Sequence, residues 1–116
     1  MGYKLEFYES SSGKAPAYDF IVELPPKLQS KMFGTLELLS DLGPEIKSPY
    51  SKHLDAGIFE LRCQFGSDAI RVLYFFHGEK IVVLTNGFHK KTQKTPSREI
   101  ERAKRARKDY LERMAG

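Results

Sequence analysis

Arg71 stands in the run Ile70-Arg71-Val72-Leu73-Tyr74-Phe75-Phe76, where every other residue is apolar. An unpaired charge inside a sheet is strongly unfavourable, so an arginine here needs a partner or faces a site. Two stretches supply candidates: Glu60-Leu61-Arg62 before it and Phe88-His89-Lys90-Lys91-Thr92-Gln93-Lys94 after it. If the three segments are adjacent strands, Arg62, Arg71, the lysines and Glu60 converge on one sheet face. Such a cluster suits a phosphate backbone. Lys47, Lys52 and His53, in the stretch between Glu45 and Gly57, offer a further positive rim.

Other chemistries have less support. Three histidines (His53, His77, His89) and one cysteine show no metal-ligand spacing, and no metal or other cofactor is expected. No Gly-rich phosphate loop opens a helix, and no Gly-x-Ser-x-Gly elbow is present. Cys63, the lone cysteine, cannot form an internal disulfide; it fits a reducing cytoplasm and reads as a small core residue. The longest apolar run is too short for a membrane span, and the N-terminus lacks a signal-like apolar stretch, so a cytoplasmic protein without membrane partners is expected. From Lys90 to Lys108 nine Lys or Arg face only Glu99 and Glu101, the electrostatic footprint of a polyanion partner. A solvated helix face would carry the same pattern.

The elements that must position these groups follow from periodicity. Tyr3–Tyr8 alternates as a strand. Ala17, Phe20, Ile21 and Leu24 keep helical spacing from Pro16, and Pro25-Pro26 breaks that helix. Leu28, Met32, Leu36 and Leu39, with Phe33 and Leu42 beside them, stripe a second helix ending at Gly43-Pro44. Glu45 to Gly57 reads as loop. Ile58–Phe65, Ala69–His77 and Lys80–Phe88 follow as strands at hairpin spacing. Thr95 as N-cap and Pro96 at the first turn open a last helix to about Arg113, striped by Ile100, Ala103, Tyr110 and Met114, with Ala106 and Leu111 beside them. A length of 116 residues suits a single domain over 1–116. The order predicts an α+β fold: a strand and helical hairpin packed on a mainly antiparallel sheet, with a C-terminal helix. The helices are expected on one sheet face, leaving the other free.

Alternation sorts the side chains. Phe59, Leu61, Cys63 and Phe65 form the core side of their strand; Ile58, Glu60, Arg62 and Gln64 point the other way. Arg71, Leu73, Phe75 and His77 oppose Ile70, Val72, Tyr74 and Phe76. Glu60 can then orient an arginine across the hairpin. An ordinary salt bridge on an exposed sheet would look the same.

With these stretches in view, Lys52-His53-Leu54, Gly57-Ile58-Phe59-Glu60-Leu61-Arg62, Arg71-Val72-Leu73-Tyr74-Phe75-Phe76 and Gly87-Phe88-His89-Lys90-Lys91-Thr92-Gln93-Lys94-Thr95-Pro96 resemble the HigB-like branch of the RelE/ParE toxin superfamily. The resemblance implies a RelE-like α+β fold. It also implies a toxin of a type II toxin–antitoxin system, a metal-independent, ribosome-dependent mRNA endoribonuclease that is neutralised by a helix-turn-helix antitoxin. By motif, Arg62, Arg71, Lys90, Lys91 and His89 would be catalytic, and Lys52, His53, Glu60 and Lys94 would bind RNA. Arg62 and Arg71 would grip the phosphate, while a loop lysine or His89 would transfer protons. The chain departs from the common pattern at Asn86, where a histidine often precedes Gly-Phe. The superfamily also contains gyrase poisons, so a non-cleaving inhibitor or an RNA-binding phage accessory protein is the alternative.

Overall fold

The β-branched and aromatic runs from Ile58 to Phe65 and from Asp68 to His77, each bounded by a glycine turn, form two long antiparallel strands at the centre of the sheet, the second buried on both faces. The structure is a computed structural model and describes residues 2–116; Met1, part of the expected domain span, lies outside the described residues. The elements are β1 (Lys4–Phe7), α1 (Pro16–Val22), α2 (Pro26–Leu42), a 3₁₀ turn (Gly43–Glu45), β2 (Ser51–Asp55), β3 (Ile58–Phe65), β4 (Asp68–His77), β5 (Ile81–His89) and α3 (Ser97–Ala115). The sheet runs β1-β5-β4-β3-β2; β1 lies parallel to β5 and the other neighbours are antiparallel. This is the expected α+β arrangement. None of the described helices is long and apolar enough to cross a membrane.

One core lies between the sheet and the α1–α2 hairpin. Ala17, Ile21, Leu28, Met32 and Leu39 pack against Leu61, Cys63, Ile70, Val72, Tyr74, Val82 and Leu84. Gly87 belongs to this contact, because a Cβ there would come within 2.4 Å of the Phe20 ring. The second face is not left free as expected. Ala103, Ala106 and Tyr110 of α3 close over Ile58, Leu73, Phe75, Val83 and Phe88. Leu73 and Phe75 already stood with Arg71 by alternation, and burying them requires a covering layer. Polar contacts help tether α3: the Tyr110 hydroxyl donates to Glu6 Oε1 at 2.7 Å, Lys104 pairs with Asp55 at 2.6 Å, and Arg113 donates to the Glu9 carbonyl. Part of the basic helix is therefore committed to the fold. Leu111 and Met114 remain exposed, so the apolar stripe of α3 ends at Tyr110.

Two boundaries differ from the expectation. Ser51–Asp55, read as loop, is an edge strand paired with β3. Its residues Lys52, His53 and Asp55 are exposed, so it lacks the apolar alternation that marks a strand. Its buried Ser51 hydroxyl is 2.5 Å from the Tyr74 hydroxyl in the core. At α3 the N-cap position is Pro96, one residue later than expected, and it makes no side-chain cap. Thr95 is thereby freed for another bond.

Candidate functional site

The register sets Arg62 directly opposite Arg71, and Arg71 directly opposite Phe88 on its other side. Like charges facing each other across a ladder repel. Glu60, one alternation step along β3 and fully buried, supplies the counter-charge. Its Oε2 lies 3.0 Å from Arg62 Nε and 3.7 Å from Arg71 Nε, and its Oε1 accepts from the Thr95 hydroxyl at 2.6 Å. The three side chains are 1%, 26% and 11% exposed for Glu60, Arg62 and Arg71.

Arg71 is the strained member. Nη1 donates to the Ile70 carbonyl at 3.0 Å. Nε is buried and has no hydrogen-bond partner among the described residues, since 3.7 Å from Glu60 is too long for one. Burial pushes its guanidinium below the ordinary value; Glu60 opposes that and Arg62 adds to it. An acceptor oxygen placed at Nε would remove the penalty of this unmet donor.

The chain after β5 brings amines to the same place. The Lys90 amide donates to the Ala69 carbonyl at 2.8 Å, which turns the half-buried Lys90 toward the cluster. Burial lowers its amine below the usual lysine range; Glu60 raises it, and Arg71, Arg62 and Lys52 lower it further. Lys52 pairs in register with Glu60 and so stands on the same face. Lys91 lines an open groove with Arg71, Lys90, Thr92 and Gln93. Lys94 is exposed in the same loop, where the Thr92 hydroxyl bonds its carbonyl at 2.6 Å.

Both candidate imidazoles lie elsewhere. His89 pairs with Ile70 and sets its ring 5.3 Å from Phe20 of α1, on the face opposite Arg71. A bulge at Thr85 is responsible. Counting by twos from Val83, which packs under α3, would put His89 beside the arginines; the extra residue puts Asn86 and Phe88 there instead. His53 leans on Phe59, at 5.0 Å between rings, and its Nε2 accepts from the Gly57 amide at 3.1 Å. Asn86 is buried and fully engaged: it accepts from Thr85 at 2.6 Å and donates to Glu99 Oε1 at 3.0 Å and to the Glu99 carbonyl at 3.2 Å.

Sequence reasoning missed Thr95, whose Thr-Pro context signals a helix start. The only available clue was that a buried strand glutamate needs donors for both oxygens. Thr95→Val is expected to loosen Glu60 and cost about 1 kcal/mol, with Thr95→Ser restoring most of it; chemical denaturation of the three proteins measures this. Equal stability of all three would show that the bond does not hold Glu60.

Assembled, the site is a buried carboxylate bracing two arginines, one with an unmet donor, beside an amine held below its usual pKa. It can bind an anionic oxygen in a forked grip and exchange a proton next to it. No curated protein matches the chain significantly. The family model described as phage derived protein Gp49-like (DUF891) matches residues 19–108, which run from the second half of α1 into α3 and include every residue of this cluster. The chain belongs to this Gp49-like family of phage-derived proteins.

Proposed function

We propose that the chain is the toxin of a type II toxin–antitoxin pair, a ribosome-dependent mRNA endoribonuclease held in check by a helix-turn-helix antitoxin. The observation that carries this reading is the unmet Arg71 Nε beside Arg62, both braced by Glu60 and faced by Lys90. Membership of a family associated with RelE/HigB-type toxins supports it.

In this mechanism Arg62 and Arg71 bind the non-bridging oxygens of one mRNA phosphate, Arg71 through the donor that protein leaves free. Neutral Lys90 removes the 2′-hydroxyl proton. O2′ attacks phosphorus, the new P–O2′ bond closes a 2′,3′-cyclic phosphate, and the P–O5′ bond breaks. The Lys91 ammonium gives the departing O5′ its proton. The ribosome contributes by holding mRNA near an in-line geometry.

Mapping mRNA ends in a cell-free translation reaction tests the reading. Codon-linked cuts that require ribosomes are expected. Cuts in naked RNA would make it a free ribonuclease, and intact mRNA with blocked supercoiling in a gyrase assay would make it a poison.

The role of Lys90 has its own pH signature. The neutral amine is the active form, so cleavage rises as pH climbs through its pKa. Because burial and neighbouring cations lower that pKa, the rising limb lies below that of an ordinary lysine. Lys90→Arg keeps the charge but not the base, and is expected to lose about 10²–10⁴-fold in rate together with the limb. A Lys90→Arg protein with an unchanged pH–rate profile would move the base elsewhere.

A further inference from the structure

Arg71 borders two hollows that differ in kind, and Arg62 borders one of them. Toward β5 lies the open groove of about 630 Å³, lined by Ala69, Arg71 and the polar loop residues Lys90 to Gln93. Toward β2 lies a cavity of about 300 Å³, bordered by Arg62 and Arg71 and otherwise lined by Lys31, Thr35, Pro49, Tyr50, Cys63 and Gln64. The edge of the sheet creates it. β2 pairs with β3 from Ser51–Leu61 onward, and the Tyr50 carbonyl accepts from the Arg62 amide at 2.7 Å. Past that point β3 has no strand on this side among the described residues, and Lys31 of α2 reaches across to the Gln64 carbonyl.

The lining has the chemistry of a base site. Tyr50, an aromatic residue bordering the cavity, is 47% exposed. Gln64 carries both a donor and an acceptor, and its Nε2 makes only a long 3.5 Å contact with the Gly66 carbonyl. The Thr35 hydroxyl already donates to the Lys31 carbonyl at 3.0 Å, so Gln64 is the lining group with both a free donor and an acceptor for a base edge. The loop-side groove offers cations and no aromatic ring, which suits backbone. We infer that the β2-side cavity receives the nucleobase adjoining the phosphate held by Arg62 and Arg71. The base stacks on Tyr50 and presents its edge to Gln64, making these two residues determinants of nucleotide preference. This rests on the phosphate-binding reading of the arginine pair.

The test uses the full chain and four 2′-deoxy homodinucleotides, which lack the attacking hydroxyl and are not cleaved. Amide chemical shifts are followed for the wild type and for Arg71→Ala, Tyr50→Ala, Tyr50→Phe and Gln64→Leu. Millimolar binding is expected, with shifts at Lys31, Tyr50 and Gln64. Tyr50→Ala should weaken it about 5-fold or more and Tyr50→Phe much less, as stacking requires. Gln64→Leu should flatten the difference between bases. Binding that depends on Arg71, ignores Tyr50→Ala and leaves those three amides unmoved would overturn the cavity while sparing the phosphate site. No shifts at all, or binding indifferent to Arg71→Ala, would remove both.

Discussion

Arg71→Ala is expected to give a folded protein whose mRNA cleavage falls about 10²–10³-fold, the loss seen when one preorganised donor to a developing anion is removed. The fold should survive, because Glu60 keeps both Arg62 and Thr95 as partners. The mutation also deletes a buried donor that protein does not satisfy and relieves repulsion from Arg62. Its melting temperature should therefore stay near the wild-type value. Arg71→Lys should fail almost as badly, since an ammonium cannot reproduce the planar fork. End mapping on translating ribosomes and a thermal melt decide the matter together. Near-full cleavage by a folded Arg71→Ala protein would be fatal to the proposed mechanism.

Removing Glu60 should be costly in a different currency. Glu60→Ala leaves Arg62 and Arg71 face to face without their shared carboxylate, and breaking a buried ion pair from one side costs about 3–5 kcal/mol. Glu60→Gln keeps the shape and the bond to Thr95, so it should cost less and remain testable for activity. Glu60 raises the Lys90 pKa, and its loss lets Arg71, Arg62 and Lys52 lower it unopposed. The rising limb of the pH–rate profile should accordingly move to lower pH in Glu60→Gln. Urea denaturation and a pH series measure the two effects. A limb displaced upward, or a Glu60→Ala protein as stable as the wild type, would mean that the carboxylate does not brace the cluster.

Much of this site could be read in the chain because a strand has period two. Alternation, with a hairpin turn spelled by Gly66, let Glu60, Arg62 and Arg71 share one side of the β3–β4 pair. It failed where something other than periodicity governs. β2 is an exposed edge, so polar residues tolerate strand geometry there without a buried stripe. The packing of α3 rests on two alanines and a tyrosine, too narrow a stripe to show which sheet face it would cover. The cavity beside Tyr50 arises from where one strand stops and a helix passes, a three-body arrangement that no local pattern encodes.

The bulge at Thr85 shows how much hangs on a single count. In β5 the choice between an aromatic wall and an imidazole behind Arg71 is made by the number of residues before it, with Phe88 and His89 exchanging places at every one-residue slip. With the ring turned away, the group at this face whose pKa is shifted toward proton exchange is the Lys90 amine, lowered first by burial and then by the crowding of its cations. A polyanion bound by those cations would offset their field, so its docking would raise the proton affinity of Lys90. In the proposed mechanism substrate and base are thus electrically linked: the empty site holds the amine below its usual pKa, and occupancy makes it a stronger proton acceptor.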